Sequence, residues 1–156
     1  MLVYLFRHGE AEAKAKTDAE RVLTRNGVLE SRDVAAKFLA RAPLIDKAMM
    51  SPLERARQTA ATLRAGFTTL RFEINDLLKP DGDVYKLLDA VGNSRVQHLL
   101  LVGHNPCLTS LMSLMLDGIT ETGRNMGTSE LVCISLEEAI PGFGELLYTI
   151  TPTRQA

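Results

Sequence analysis

Two histidines in this chain follow directly on apolar runs of the kind that form buried strands. Leu2-Val3-Tyr4-Leu5-Phe6 leads into Arg7-His8-Gly9, and Gln97 to Val102 leads into Gly103-His104-Asn105-Pro106. A neutral imidazole is a competent nucleophile toward phosphorus. An arginine before it can clamp phosphoryl oxygens, and a glycine after it lets backbone approach closely. A third signal is Ser51-Pro52-Leu53-Glu54-Arg55-Ala56-Arg57-Gln58-Thr59, which sets Arg55 in the first turn of a helix that follows a strand. The N-terminus of a helix attracts anions, and an arginine there adds a bidentate donor. Arg57 lies about 200 degrees around that helix from Arg55, so it is read as a surface residue. Taken singly, each signal has a second reading: His8 as a strand-end residue beside an ion-paired Arg7, and Arg55 as a solvated side chain. His98, near the start of the strand that ends at His104, is read as structural or partly exposed.

The elements that must position these residues follow from periodicity. Leu2 to Phe6 is a continuous apolar strand of the type covered on both faces in a parallel sheet. Ala11 to Val22 is a polar loop, and Thr24 is placed to cap a helix with Val28, Leu29, Ala35, Ala36 and Leu39 on one face, ended by Pro43. Leu44 to Met50 is a second strand. Pro52 fits the first turn of the next helix, in which Leu53, Ala56, Ala60 and Leu63 recur at helical spacing until Gly66. Leu70 to Ile74 reads as a third strand, Asn75 to Asp83 as a loop, and Val84, Leu87, Leu88 and Val91 as an amphipathic helix capped by Asp83. After the strand to Val102, Asn105 is placed to cap a helix with Pro106 in its first turn and Leu108, Leu111, Met112 and Met115 facing the core. Glu130 to Leu136 and Glu145 to Ile150 close the chain as two strands around a Pro141-Gly142 turn. This alternation predicts one domain over residues 1–156, a three-layer α/β/α sandwich with a largely parallel central sheet. In such sheets ligands bind beyond the carboxyl ends of the strands, where His8 and His104 fall.

Composition removes several function classes. Lys and Arg total 18 against 19 Asp and Glu, a net charge of −1, which argues against a surface built for nucleic acid or anionic lipid. Aromatic residues make up 5% and Trp is absent, so platforms for stacking bases are not expected. The first apolar run stops at Arg7, too short for a signal peptide or a membrane span, so no membrane association and a cytoplasmic location are expected. Cys107 and Cys133 have neither disulfide nor zinc spacing and read as buried, reduced thiols. Cys-dependent phosphatase chemistry needs an arginine six positions after the cysteine, where this chain has Ser113 and Ala139. Asp81-Gly82-Asp83 does not follow a buried strand, as an aspartate nucleophile would, and neither a GxxxxGK loop nor a dinucleotide fingerprint is present.

The ordered set Leu5-Phe6-Arg7-His8-Gly9-Glu10, Arg21-Val22-Leu23-Thr24 with Gly27, Ser51-Pro52 through Arg55-Ala56 to Gln58-Thr59, and Val102-Gly103-His104-Asn105-Pro106 resembles the histidine phosphatase superfamily. Within it the compact length is most similar to the small bacterial phosphohistidine phosphatases of the SixA type. The resemblance implies a phosphoglycerate mutase-like fold, with His8 as the transiently phosphorylated nucleophile and Arg7, Arg55 and His104 binding the phosphoryl group. Arg21 matches the additional phosphate-binding arginine of the family, with Arg25 nearby. Guanidinium groups around His8 would disfavour its protonated form and stabilise charge on the transferring group, without a metal.

A general acid is the one part left unassigned. Ester cleavage expels an alkoxide that needs a proton, whereas breaking the phosphorus–nitrogen bond of phosphohistidine releases a better leaving group. Glu10, Asp76, Asp81 and Asp83 are the candidate acids, each with a plainer role as a loop or capping residue. The expected activity is therefore metal-independent hydrolysis through phospho-His8. The expected partner is a phosphohistidine-bearing protein such as a phosphotransfer domain or a phosphocarrier. A small-ester phosphatase and a non-catalytic module that binds phosphorylated partners are the alternatives.

Overall fold

A computed structural model describes residues 1–153. Strands β1 (Leu2–Arg7), β2 (Lys47–Met50), β3 (Phe72–Ile74), β4 (His98–Gly103), β5 (Leu131–Leu136) and β6 (Gly144–Ile150) form one sheet in the order β3-β2-β4-β1-β5-β6. Helices α1 (Arg25–Ala40) and α2 (Glu54–Ala61) cover one face, and α3 (Val84–Asn93) and α4 (Cys107–Asp117) the other. The three-layer expectation holds. The β3-β2-β4-β1 part is parallel, whereas β5 runs antiparallel to β1 and β6 antiparallel to β5. None of the helices in the described residues is long and apolar enough to cross a membrane.

The continuous apolar runs exist because β1 and β4 are buried on both faces. Val3, Leu5, Leu99 and Leu101 pack toward α3 and α4, while Tyr4, Phe6, Leu100 and Val102 pack toward α1 and α2. A strand in this position has no solvent side, so alternation with polar residues would bury unpaired polar groups. Cys107 and Cys133 are buried free thiols, and Met112 and Met115 are core residues, as expected.

Register then delivers the site. β1 pairs with β4 so that Arg7 lies opposite Gly103, and the His8 N–H donates to the Gly103 carbonyl at 3.0 Å. His8 and His104 therefore leave the sheet side by side at its carboxyl edge. From there the chain turns toward α1 on one face after β1 and toward α4 on the other after β4, the divergence that opens a crevice in this architecture.

Thr24 caps α1 as expected, its hydroxyl accepting from the Gly27 N–H at 2.9 Å. The buried face of α1 differs from expectation: it carries Gly27, Ser31, Val34, Ala35 and Phe38, and Leu29 and Ala36 are exposed. Close approach is the reason. A Cβ on Gly27 would run into the Glu10 backbone, and one on Gly9 would meet Ser31 Oγ at 2.5 Å and the Gly27 carbonyl at 2.6 Å. Small residues let the first turns of α1 press on the segment after His8, a packing demand that outweighs hydrophobic count.

Other boundaries shift. α2 starts at Glu54 with Leu53 at its N-cap, so Pro52 lies before the helix. There the Ser51 hydroxyl accepts from the Leu53 N–H at 3.2 Å and closes a turn of its own. The helix ends at Ala61, and bonds from Thr62, Leu63 and Arg64 to carbonyls three residues back continue as tighter turns to Gly66. β2 begins at Lys47 rather than Leu44, and β3 at Phe72 rather than Leu70.

Helix propensity alone favours Ala over Gly by about 1 kcal/mol, yet at position 27 the Glu10 backbone cannot yield. Gly27→Ala is expected to destabilise the protein by about 3 kcal/mol, read as a lower urea midpoint at unchanged slope.

Candidate active site

His8 is 9% exposed, set between the sheet edge and α1. Its Nδ1 lies 2.7 Å from the Gly9 carbonyl. A carbonyl oxygen can only accept, so the ring proton sits on Nδ1 and Nε2 keeps its lone pair. Burial pushes the His8 pKa down to about 4; the Gly9 bond opposes this, and the charges of Arg55, Arg7 and Arg21 add to it. At neutral pH the ring is an uncharged base with its free nitrogen defined.

His104 lies against it, ring centroids 4.8 Å apart and planes at 54°. It is 1% exposed, and its Nε2 meets the Ser51 hydroxyl at 2.7 Å. Burial first, then the His8 ring and Arg55, push its pKa down to about 3, while Asp18 acts in the opposite direction. Neither imidazole is charged, so the positive field here comes from arginine.

Arg7 comes from the end of β1 and Arg55 from the first turn of α2. Arg7 Nη1 donates to the Met126 carbonyl at 2.7 Å, and burial lowers its pKa while Glu130 opposes. Arg55, in the first turn of α2, is 4% exposed and donates from Nη1 to the Asp18 carbonyl at 2.8 Å and from Nη2 to the Asp18 carboxylate at 3.1 Å. Arg7 Nε, Arg55 Nε and His104 Nδ1 are buried with no hydrogen-bond partner, as is Asn105 Oδ1. An orphaned buried polar atom costs about 1–3 kcal/mol. Four such atoms, on Arg7, Arg55, His104 and Asn105, mark hydrogen-bonding capacity held for something other than the fold. The two guanidinium groups repel a cation, and no group of three or more His, Cys, Asp or Glu among the described residues is placed to hold a metal.

The expected residues Arg7, His8, Arg55 and His104 come together. Arg21 is arranged differently: its Nε donates to the Glu12 carbonyl at 2.7 Å and its Nη1 to Asp18 at 3.0 Å, so it reaches the cluster through Asp18. Asn105 does not cap α4, whose N-cap is Pro106. Its Nδ2 donates instead to the Met126 carbonyl at 3.0 Å, drawn there by the acceptor that also holds Arg7. The candidate acids have other work. Glu10 accepts from Thr24 at 2.9 Å and Asn26 at 3.0 Å, Asp83 caps α3 as expected, and Asp76 pairs with Lys79 at 3.6 Å. Asp81 is exposed, and His98 pairs with Asp46 at 3.0 Å, away from the site. Arg57 is exposed and donates to the Pro52 carbonyl.

Several supporting residues have no role assigned from the sequence, although Gln58 and Thr59 stand in the ordered motif set. Thr59 accepts from the Gly9 N–H at 3.0 Å while donating to the Arg55 carbonyl at 2.8 Å, tying the segment after β1 to α2. Gln58 accepts from the Leu23 N–H at 2.7 Å, and Ser129 donates its N–H to the His8 carbonyl at 3.1 Å. A recess of about 680 Å³ lies beside this cluster, not over it; its Glu10, Glu30 and Asp33 carboxylates disfavour an anion.

Comparison with known proteins agrees with this geometry. Residues 3–79 match the family model of the histidine phosphatase superfamily, branch 1. The chain is 31% identical to phosphohistidine phosphatase SixA of Escherichia coli K12, over 97% of this chain and 94% of that protein. The chain belongs to the histidine phosphatase superfamily. As a member it is a hydrolase of the phosphatase class with a histidine nucleophile. The structure of the protein histidine phosphatase SixA complexed with tungstate superposes with a TM-score of 0.84 at 30% identity, covering 97% of each chain. The alpha-ribazole phosphatase of Shigella flexneri shares the fold at a TM-score of 0.78 and 17% identity, over 98% of this chain and 96% of that one.

Both histidines have pKa values below that of an unfolded chain, so the unfolded state takes up protons first as pH falls through about 6.5. Stability is therefore lost as pH falls from about 6.5, down to about pH 4 for the share of His8 and to about pH 3 for that of His104. In urea unfolding, His8→Asn, which keeps a donor for the Gly9 carbonyl, is expected to show on the order of 2 kcal/mol less of this acid loss between pH 7 and pH 4.5 than the wild type.

Proposed function

We propose that the chain is a metal-independent protein phosphohistidine phosphatase with His8 as its nucleophile. The observation that carries this reading is the His8 ring itself: neutral, its proton bound to the Gly9 carbonyl, its Nε2 free, with Arg7 and Arg55 beside it. The names of the E. coli relative and of the tungstate-bound structure support it. In the first step the Nε2 lone pair forms a bond to the substrate phosphorus. The phosphorus–nitrogen bond breaks, and the substrate imidazole leaves with the electron pair, neutral when its other ring nitrogen is protonated. Water then attacks phospho-His8, the bond to Nε2 breaks, and inorganic phosphate departs with the water proton.

Arg7, Arg55 and His104 are assigned to the phosphoryl oxygens, where two fixed cations stabilise the charge of the transferring group. Arg21 is assigned a supporting place in the same field. Of the four candidate acids, Glu10, Asp76 and Asp83 are held by other partners and Asp81 is exposed, a distribution that fits a leaving group needing little help. The substrate assigned on this basis is a phosphorylated histidine of a cytoplasmic phosphotransfer domain or phosphocarrier.

The test is phosphate release from a histidine-phosphorylated phosphocarrier in excess EDTA. Wild-type protein is expected to turn over, His8→Ala to fall to the uncatalysed rate, and Arg55→Ala to lose about 100-fold in kcat/KM. Turnover that requires added metal, or that persists in His8→Ala, would refute the assignment.

A further inference from the structure

The segment between β1 and α1 contains a feature that the four-residue cluster does not account for. Ala11 and Leu23 form an antiparallel bridge, and the Glu12 N–H donates to the Val22 carbonyl at 2.8 Å, so residues 12–22 make a loop closed at its base. Near the far end of this loop, in the 3-10 turn Asp18–Glu20, Asp18 meets two arginines at once. Its Oδ1 accepts from Arg21 at 3.0 Å and its Oδ2 from Arg55 at 3.1 Å, while its backbone carbonyl accepts from Arg55 at 2.8 Å. Arg21 is itself anchored to the loop by the Glu12 carbonyl.

Exposed ion pairs as a class contribute little. This one differs because one partner is the nearly buried Arg55 and because of which guanidinium atoms it takes. A guanidinium presents two edges able to bind an oxyanion in bidentate fashion, one made by its two terminal nitrogens and one that includes Nε. Asp18 occupies the terminal edge through Nη1 and Nη2, and Arg55 Nε is left buried without a partner.

We infer that Asp18 is a positioning residue of the phosphoryl site: it holds Arg55 by its terminal edge, with Arg21 as the brace, so that the Nε edge is committed to the phosphoryl group. This rests on the phosphatase reading above. The Asp18 carboxylate also acts to raise the His104 pKa, in keeping with its place beside the site. The arrangement gives Arg21 a function at one remove, since its contacts go to the loop and to Asp18.

The experiment is a double-mutant cycle on phosphate release from a chemically phosphorylated histidine peptide, with the inhibition constant of orthovanadate as a second readout. D18A keeps the backbone carbonyl and removes only the carboxylate. It is expected to lower kcat/KM by about tenfold and to weaken orthovanadate by a similar factor, and D18A/R55A is expected to be within about twofold of R55A. Urea unfolding checks the fold, and D18N takes the place of D18A in the cycle should D18A fail to fold. The inference is overturned if the Asp18 variant stays within about twofold of wild type while R55A is impaired, or if the two losses multiply in the double variant. If R55A itself turns over like wild type, the phosphate-binding role of Arg55 fails first, and the inference with it.

Discussion

An imidazole that is to attack phosphorus has to be neutral, and its proton has to sit on the nitrogen that does not attack. Burial of His8 meets the first requirement and the Gly9 carbonyl meets the second. The two act against each other in part, because the bond to Gly9 also favours the protonated ring. Burial and the nearby arginines outweigh it, and the pKa stands at about 4. The same cations that keep a proton off His8 would draw a phosphoryl group toward it, so ground-state chemistry and substrate attraction come from one set of charges.

Holding that arrangement takes contacts from widely separated parts of the chain. The β1–β4 register places the histidines together, and glycines at 9 and 27 allow the segment after His8 to lie against the first turn of α1. Thr59 ties that segment to α2, and Ser129 ties it to the strand that follows. The Met126 carbonyl, remote in sequence, fixes Arg7 and Asn105 together. Each of these anchors is a backbone group or a small hydroxyl, which leaves the large cationic and aromatic groups for the site. Orphaned nitrogens on Arg7, Arg55 and His104 are a local cost that the packed sheet beneath them can carry.

What was legible in the sequence follows a physical pattern. β1 and β4 could be read because strands buried on both faces must be apolar throughout, and the residues that end them stood out as polar groups where a crevice opens. Asp83 could be read as a cap because capping leaves a local signature ahead of a periodic run. Asn105 had the same signature and was claimed instead by a carbonyl from another loop, a competition that no local pattern records. The buried face of α1 departs from its periodicity because contact with the Glu10 backbone selects small residues, and periodicity counts large ones. Asp18 looked like any polar loop residue, since nothing near it in sequence shows that two arginines converge on it.

The central claim is that His8 carries its proton on Nδ1 and reacts through Nε2. It can be tested by quenching the enzyme in alkali during turnover of a phosphohistidine peptide, digesting it, and locating the phosphoryl group by mass spectrometry and ring NMR. A phosphoryl group on Nε2 of His8 is the result this account requires; one on Nδ1 of His8, or on any other residue, would contradict it.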